Sequence, residues 1–124
     1  MTDYSKMSDF EINKAVAIAL GAKQVDYYEN GDRCAIFYEL GDKNLTVRRG
    51  KSLLSEKFDP CNNPADAWPI IVDNRISLMM DYADWDKCTA AYGDDGHFSP
   101  EIECTEENPL RAAMIVFLMI QEQG

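Results

Sequence analysis

Few residues in this chain are of a type and spacing that could do chemistry, and they are scattered. Cysteines stand at Cys34, Cys61, Cys88 and Cys104, three of them in one frame: Asp32-Arg33-Cys34, Asp59-Pro60-Cys61 and Asp86-Lys87-Cys88. Thiolates with carboxylates can hold zinc. The residues around the triplets do not match one another, and no C-x-x-C occurs. Reduced, partly buried thiols are therefore expected, with no metal and no cofactor. His97, the single histidine, lies in a loop rich in Gly and Asp, and no Gly-x-Ser-x-Gly elbow accompanies it; a solvated imidazole is expected rather than a triad. Gly50-Lys51-Ser52 ends like a phosphate-binding loop, but Leu45 stands where the first glycine is needed. Without it the backbone cannot wrap a phosphate, so a polar turn is expected. Asp94-Asp95 with Glu101 and Glu103 miss the alternating spacing of an EF-hand, and solvated carboxylates are expected there. No catalytic residue is assigned, although carboxylate chemistry stays open.

Charge is more informative than any of these motifs. The net charge of the 124 residues is −10, and it is unevenly spread. Residues 1–80 hold 12 acids and 10 bases, whereas residues 81–107 hold nine acids against Lys87 alone, a net of −8. Such a chain is repelled by nucleic acid and by anionic membrane surfaces, and attracted to basic partners. Arg111 follows this block, in the first turn of a helix whose dipole disfavours a cation there. A local ion pair with Glu106 or Glu107 is the expected reason.

These residues must be positioned by a modest set of elements. The length fits one domain spanning 1–124. Met1-Thr2-Asp3-Tyr4-Ser5-Lys6 is polar, so no secretory signal is expected and the cytosol is the expected compartment. Ser8 and Glu11 make a capping box, and Met7 with Ile12 a hydrophobic staple. Ile12, Ala15, Val16, Ala19 and Leu20 then recur at helical spacing up to Gly21, a stop signal. Val25–Tyr28 and Cys34–Leu40 flank an Asn30-Gly31 step, and Gly41-Asp42-Lys43-Asn44 leads into Leu45–Arg48. Together they predict a three-strand antiparallel meander. Phe58–Asn62 reads as a loop. Asn63-Pro64 starts a second helix that Pro69 should stop or kink. Strands are expected over 75–80 and 85–92, with loops through 93–100. The acidic residues fall on strand edges and loops rather than on one helix face.

Asn108-Pro109 opens the last helix, which is apolar on every side through Ile120. A membrane span needs ~20 apolar residues, so a helix surrounded by other elements is expected. Met114, Phe117, Leu118 and Ile120 are its expected packed residues. The predicted fold is α+β: a small antiparallel sheet packed with the N-terminal helix and this central C-terminal helix, whose far side is covered by the first helix or by a dimer partner.

Five stretches of the sequence taken together resemble a known family. They are Phe58-Asp59-Pro60, Trp68-Pro69-Ile70-Ile71, a strand from Ile76, the segment of Trp85, and Pro109-Leu110-x-Ala112-Ala113-Met114. Over roughly residues 55–120 they resemble the NinX-type proteins of tailed phages. The resemblance implies a small accessory protein of a phage or prophage, made in the cytoplasm of a bacterial host, and it brings no biochemical role with it. By analogy of source and charge, an inhibitor of a host defence system of the CRISPR or restriction type is one expectation.

The preferred functional reading is a non-enzymatic protein that binds a basic host protein. Its acidic surface would be formed by Asp84, Asp86, Asp94, Asp95, Glu101, Glu103, Glu106 and Glu107. One alternative is a ligand-binding or enzymatic domain with a pocket near Phe58, Trp68 and Trp85, since tryptophans in irregular segments often line pockets. Another is a homo-oligomeric structural accessory protein.

Overall fold

The capping box forms. Ser8 Oγ accepts the Glu11 amide at 3.2 Å, and the Glu11 carboxylate accepts the Ser8 amide at 3.3 Å, satisfying donors that a helix start leaves open. The computed structural model describes residues 3–50, 57–80, 87–93 and 102–123. Helix α1 covers Asp9–Ala19 and buries Ile12, Asn13, Val16 and Ala17. Its inner face is thus rotated from the expected stripe, and Ala15, Ala19 and Leu20 are only half-buried. The reason is Asn13, whose amide is drawn inward by the hydrogen bonds described in the next subsection.

The meander forms as β1 (Lys23–Asn30), β2 (Arg33–Leu40) and β3 (Lys43–Arg49), with β2 in the centre. Both hairpin loops are two residues, Gly31-Asp32 and Gly41-Asp42, with glycine φ of 61° and 63°. A positive φ at the first loop position is what a type II′ turn requires, and glycine adopts it without a steric penalty. β2 buries Cys34, Ala35, Ile36 and Tyr38, whereas every residue of β1 is exposed. The open edge of β1 is blunted, as exposed edges usually are. Its register slips between Gln24 and Asp26, and Asp26 Oδ1 accepts the Tyr27 amide at 2.8 Å.

Helix α2 spans Pro64–Asp73, with Asn63 Oδ1 accepting the Ala65 amide at 3.0 Å as its cap. It runs through Pro69 rather than ending there. The ring removes the donor that would have met the Ala65 carbonyl, but Ala65 and Pro69 both lie on the exposed face. On the exposed face the missing bond leaves no buried residue unpaired, which is compatible with the helix continuing.

A second sheet follows, in the order β4 (Ser77–Met80), β5 (Cys88–Tyr92), β6 (Ile102–Glu106). Two three-stranded sheets thus stand where one was expected. Strand β6 has no counterpart among the expected elements, because glutamates depress its strand propensity. Pairing with β5 makes it a strand, and the Thr89 and Thr105 hydroxyls meet across the ladder at 2.8 Å. The Trp85 end of the expected fifth strand lies outside the described residues, as does most of the expected loop at 93–100.

Helix α3 (Pro109–Gln123) is the centre of the packing. β4, β5 and β6 cover one side of it, and α1 and α2 the other. Every residue from Ala112 to Leu118 is buried, which is why the helix is apolar all round. Met114, Phe117 and Leu118 are at most 4% exposed, while Ile120 is half-buried near the end. α1 also packs on β3, so the helices lie between the two sheets and the α+β architecture is complete. No helix among the described residues is long and apolar enough to cross a membrane.

Helices α1 and α2 end in the same motif with different residues. At α1 the Ala22 amide reaches the Ala17 carbonyl and the Gly21 amide reaches Ile18; at α2 the Ile76 amide reaches Ile71 and the Arg75 amide reaches Val72. This Schellman pattern puts the residue after the cap in the left-handed region, and Arg75 has a φ of 55° where α1 has a glycine. A side chain there costs about 1 kcal/mol. Arg75→Gly is therefore expected to stabilise the fold by up to about 1 kcal/mol, seen as a raised urea midpoint; an unchanged or lowered midpoint would show that the arginine side chain compensates its own backbone strain.

Candidate functional site

The most organised polar group in the molecule sits where the starts of α1 and α3 meet the segment 57–63. Phe58, Asp59, Pro60 and Cys61, expected as a loop, are all buried. Buried backbone and carboxylate groups need partners, and asparagines supply them. Asn13 Nδ2 donates to Asp59 Oδ1 at 2.8 Å, and Asn13 Oδ1 accepts the Cys61 amide at 3.2 Å. Asn62 Nδ2 is shared between Asp9 Oδ2 at 3.0 Å and Asp59 Oδ1 at 3.1 Å. The Asp59 amide donates to Asp66 Oδ2 at 2.9 Å, and Lys57 Nζ lies 3.3 Å from Asp59 Oδ2.

The start of α3 joins the same group. Asn108 Oδ1 accepts the amides of Leu110 and Arg111, so it caps the helix as expected, while its Nδ2 donates to the Cys61 carbonyl at 2.6 Å. Arg111 then spreads its guanidinium over five acceptors. Nε donates to Glu106 Oε1 and Nη1 to Asp9 Oδ1, each at 2.7 Å. Nη2 serves the carbonyls of Met7 at 2.6 Å, Ser5 at 3.2 Å and Tyr4 at 3.4 Å. The expected pairing with Glu106 is present, and Asp9 and the N-terminal carbonyls are added to it. Burial works against the guanidinium charge, but Glu106 and Asp9 outweigh it and hold the Arg111 pKa above its ordinary value. Planar fork geometry is what lets one cation satisfy this many acceptors.

Beside Arg111 a depression of about 410 Å³ is lined by Asp9, Lys87, Thr105, Glu106, Glu107, Asn108 and the guanidinium itself. Its chemistry is that of a closed clamp. Two of its carboxylates are bound to Arg111, and the arginine donors are directed at protein acceptors rather than outward to a ligand anion. Neighbouring thiols are unreactive for the same reasons of burial and charge. Burial, with the Asp9 carboxylate adding to it, pushes Cys61 up to about 12, and burial with Glu106 pushes Cys104 up to about 11. Neither is a nucleophile at neutral pH. Among the described residues no three His, Cys, Asp or Glu side chains come together as metal ligands.

The expected site residues are distributed as follows. Asp84, Trp85, Asp86, Asp94, Asp95, His97 and Glu101 lie outside the described residues. Glu103 is exposed on β6, Glu107 is exposed just before α3, and Glu106 is half-buried against Arg111. Phe58 is buried and lines a depression of about 170 Å³ with Asn44, Leu45, Thr46, Lys57 and Asp66. Trp68 is not part of that lining; it projects from α2 with 61% of its surface exposed. Asp9, Asn13, Asp59, Asn62 and Asn108 were missed as a group. One local signal existed: Asn13 follows Ile12 and precedes Val16 and Ala17, a polar residue within an apolar helix face.

Two measurements test the clamp. Arg111→Met removes the donor that serves Glu106 and the carbonyls of Ser5 and Met7 and is expected to destabilise the fold by about 3 kcal/mol. Asp9→Asn is expected to cost no more than about 1 kcal/mol, since that side chain is 43% exposed; equal losses in urea unfolding would refute this assignment. The raised thiols also set an alkaline limit. Their folded pKa values exceed the ordinary value of 9.0, so above pH 9 the unfolded chain releases protons that the folded one retains. Stability should be intact below pH 9 and fall towards pH 11–12. The fall should be shallower in Cys104→Ala, and a slope identical to that of the parent chain would count against the buried-thiol explanation.

A family model described as Bacteriophage P22, NinX matches residues 3–121, and no curated protein matches the chain. The family match takes in the N-terminal helix and the meander as well as the segments from Phe58 to Met114 that carried the resemblance. The chain belongs to the bacteriophage P22 NinX family.

Proposed function

We propose that this phage accessory protein works by binding a basic host protein rather than by catalysis, with a component of a host defence system of the CRISPR or restriction type as the class of partner. The observation that carries the reading is the distribution of charge. Residues 81–107 hold nine acids and one base, and three of these acids fall among the described residues. Glu106 is taken up by Arg111, while Glu103 and Glu107 face solvent. Concentrated exposed charge raises association rates with an oppositely charged partner and repels nucleic acid. The acidic surface proposed for contact comprises Asp84, Asp86, Asp94, Asp95, Glu101, Glu103 and Glu107, with Glu106 as the member tied to the fold.

The pocket alternative draws less support. The depression at Phe58, about 170 Å³, is smaller than the roughly 300–1,000 Å³ of ordinary ligand sites, and in the larger one two of the three lining carboxylates, Asp9 and Glu106, are committed to Arg111. Replacing Asp94, Asp95, Glu101 and Glu103 with Ser should abolish capture of the partner from host lysate. Capture by the parent chain should weaken as salt is raised, because exposed charges are screened. Undiminished capture by the Ser variant would mean that the acidic block serves only solvation.

A further inference from the structure

The asparagines of this chain differ in how well they are protected from losing their side-chain ammonia, the reaction that makes asparagine thermolabile. That reaction needs a free carboxamide, an accessible backbone N–H on the next residue, and room for the two to meet. The carboxamides of Asn13, Asn62, Asn74 and Asn108 are engaged in hydrogen bonds. Asn63 caps α2 and, like Asn108, precedes a proline, which has no N–H to offer. Asn44 lies in the β2–β3 ladder opposite Glu39, and the branched side chain of Leu45 crowds the approach to it. Asn30 has none of these protections. It is exposed at the end of β1, with Gly31 and Asp32 exposed beside it. Among the described residues no hydrogen bond holds its carboxamide or the Gly31 amide. The next residue is a glycine, and even a Cβ at Gly31 would meet nothing within 4 Å. Asn30 and Arg33 form the last pair of their ladder, where strands fray most readily.

We propose that Asn30 is a self-modification site, converting in the folded protein to aspartate and isoaspartate. The Gly31 nitrogen attacks Asn30 Cγ and forms a bond to it. The bond from Cγ to the side-chain nitrogen breaks, and that nitrogen leaves as ammonia, carrying the proton lost by the Gly31 amide. Water then opens the resulting five-membered succinimide, its hydroxyl going to the carbonyl carbon attacked and its proton to the ring nitrogen. Opening at Cγ restores the main chain and leaves aspartate. Opening at the backbone carbonyl leaves isoaspartate, whose main chain runs through the former side chain and is one methylene longer. Either product places a carboxylate between Glu29 and Asp32 and opposite Arg33. Aspartate keeps the two-residue loop, and Arg33 meets its charge across the ladder. Isoaspartate lengthens the chain at the loop, so the register that the loop sets is lost. Every residue of β1 is exposed, so the core survives and only the β1–β2 hairpin loosens. Nothing in this chemistry depends on the partner proposed above.

The test ages the full chain at physiological temperature in neutral and in mildly alkaline buffer. Amide-to-acid conversion at each asparagine is followed by peptide mapping and mass spectrometry, and isoaspartate at residue 30 is assayed in parallel. Asn30 should convert roughly tenfold faster than any other asparagine of the folded chain, because its neighbours are held in place. Its rate should rise with pH, since loss of the Gly31 amide proton creates the nucleophile. Asn30→Gln should stay unconverted over the same period, because its side chain would have to close a six-membered ring. Amide hydrogens of β1 and β2 should exchange faster in the isoaspartate form than in the fresh chain, and as in the fresh chain in Asn30→Asp. Earlier conversion of another asparagine would overturn the proposal. So would an Asn30 that stays intact in the folded chain and converts only in urea, since the hairpin would then be protecting it. Unchanged exchange in the isoaspartate form would refute the loosening of the hairpin.

Discussion

The guanidinium of Arg111 ties together parts of the chain that are far apart in sequence. It lies 102 residues from Asp9 in sequence and binds it at 2.7 Å, while also gathering the carbonyls of Tyr4, Ser5 and Met7 and the carboxylate of Glu106. A cation in the first turn of a helix is locally unfavourable by a few tenths of a kcal/mol. The fold accepts that cost because only an arginine has enough donors in one plane to close the site. The start of α1, the end of β6 and the start of α3 are all located by this one side chain.

Around it the asparagines do for the segment 57–63 what a sheet or helix would do elsewhere. Asp59 and Cys61 are buried without belonging to a helix or strand; the Asn62 and Asn63 amides meet the Asp59 carbonyl, and side chains supply the partners of the Asp59 carboxylate and of the Cys61 amide and carbonyl. Asn13, Asn62 and Asn108 each combine a donor and an acceptor in one small group, which suits them to stitch backbone to carboxylate. The same stitching draws Asn13 into the core and turns α1 about its axis. With α1 so placed, α3 is covered on the side away from β4–β6, and its continuous apolar surface finds a neighbour in every direction.

In the described interior, the polar groups around Arg111 and Asp59 are engaged with one another. The carboxylates most deeply built into the fold are paired with Arg111 or hydrogen-bonded by asparagine amides, and burial raises the pKa of the Cys61 and Cys104 thiols. Among the described residues, Glu103, Glu107 and the indole of Trp68 remain exposed. In the recognition proposed for this acidic protein, charge governs encounter and a few apolar side chains govern residence.

Much of the architecture was legible in the sequence because it depends on neighbours a few residues apart. The capping box at Ser8, the two Gly-Asp hairpin turns, the Asn-Pro starts of α2 and α3 and the all-round apolar helix at 109–120 each carry their cause within one or two turns of chain. Only the tertiary structure decided the rest. β6 is a strand because β5 lies beside it, Asn13 is buried because Asp59 meets it from 46 residues away, and Arg111 reaches Asp9 only once both helices are packed. Trp68 faces solvent because Ala67, Ile70 and Ile71 already occupy the side of α2 that meets α3. Local propensity and capping act through bonds within a helix or turn, whereas burial and long-range pairing exist only after the elements come together. The framework was therefore readable from residue types, and the polar junction and the exposure of Trp68 were not.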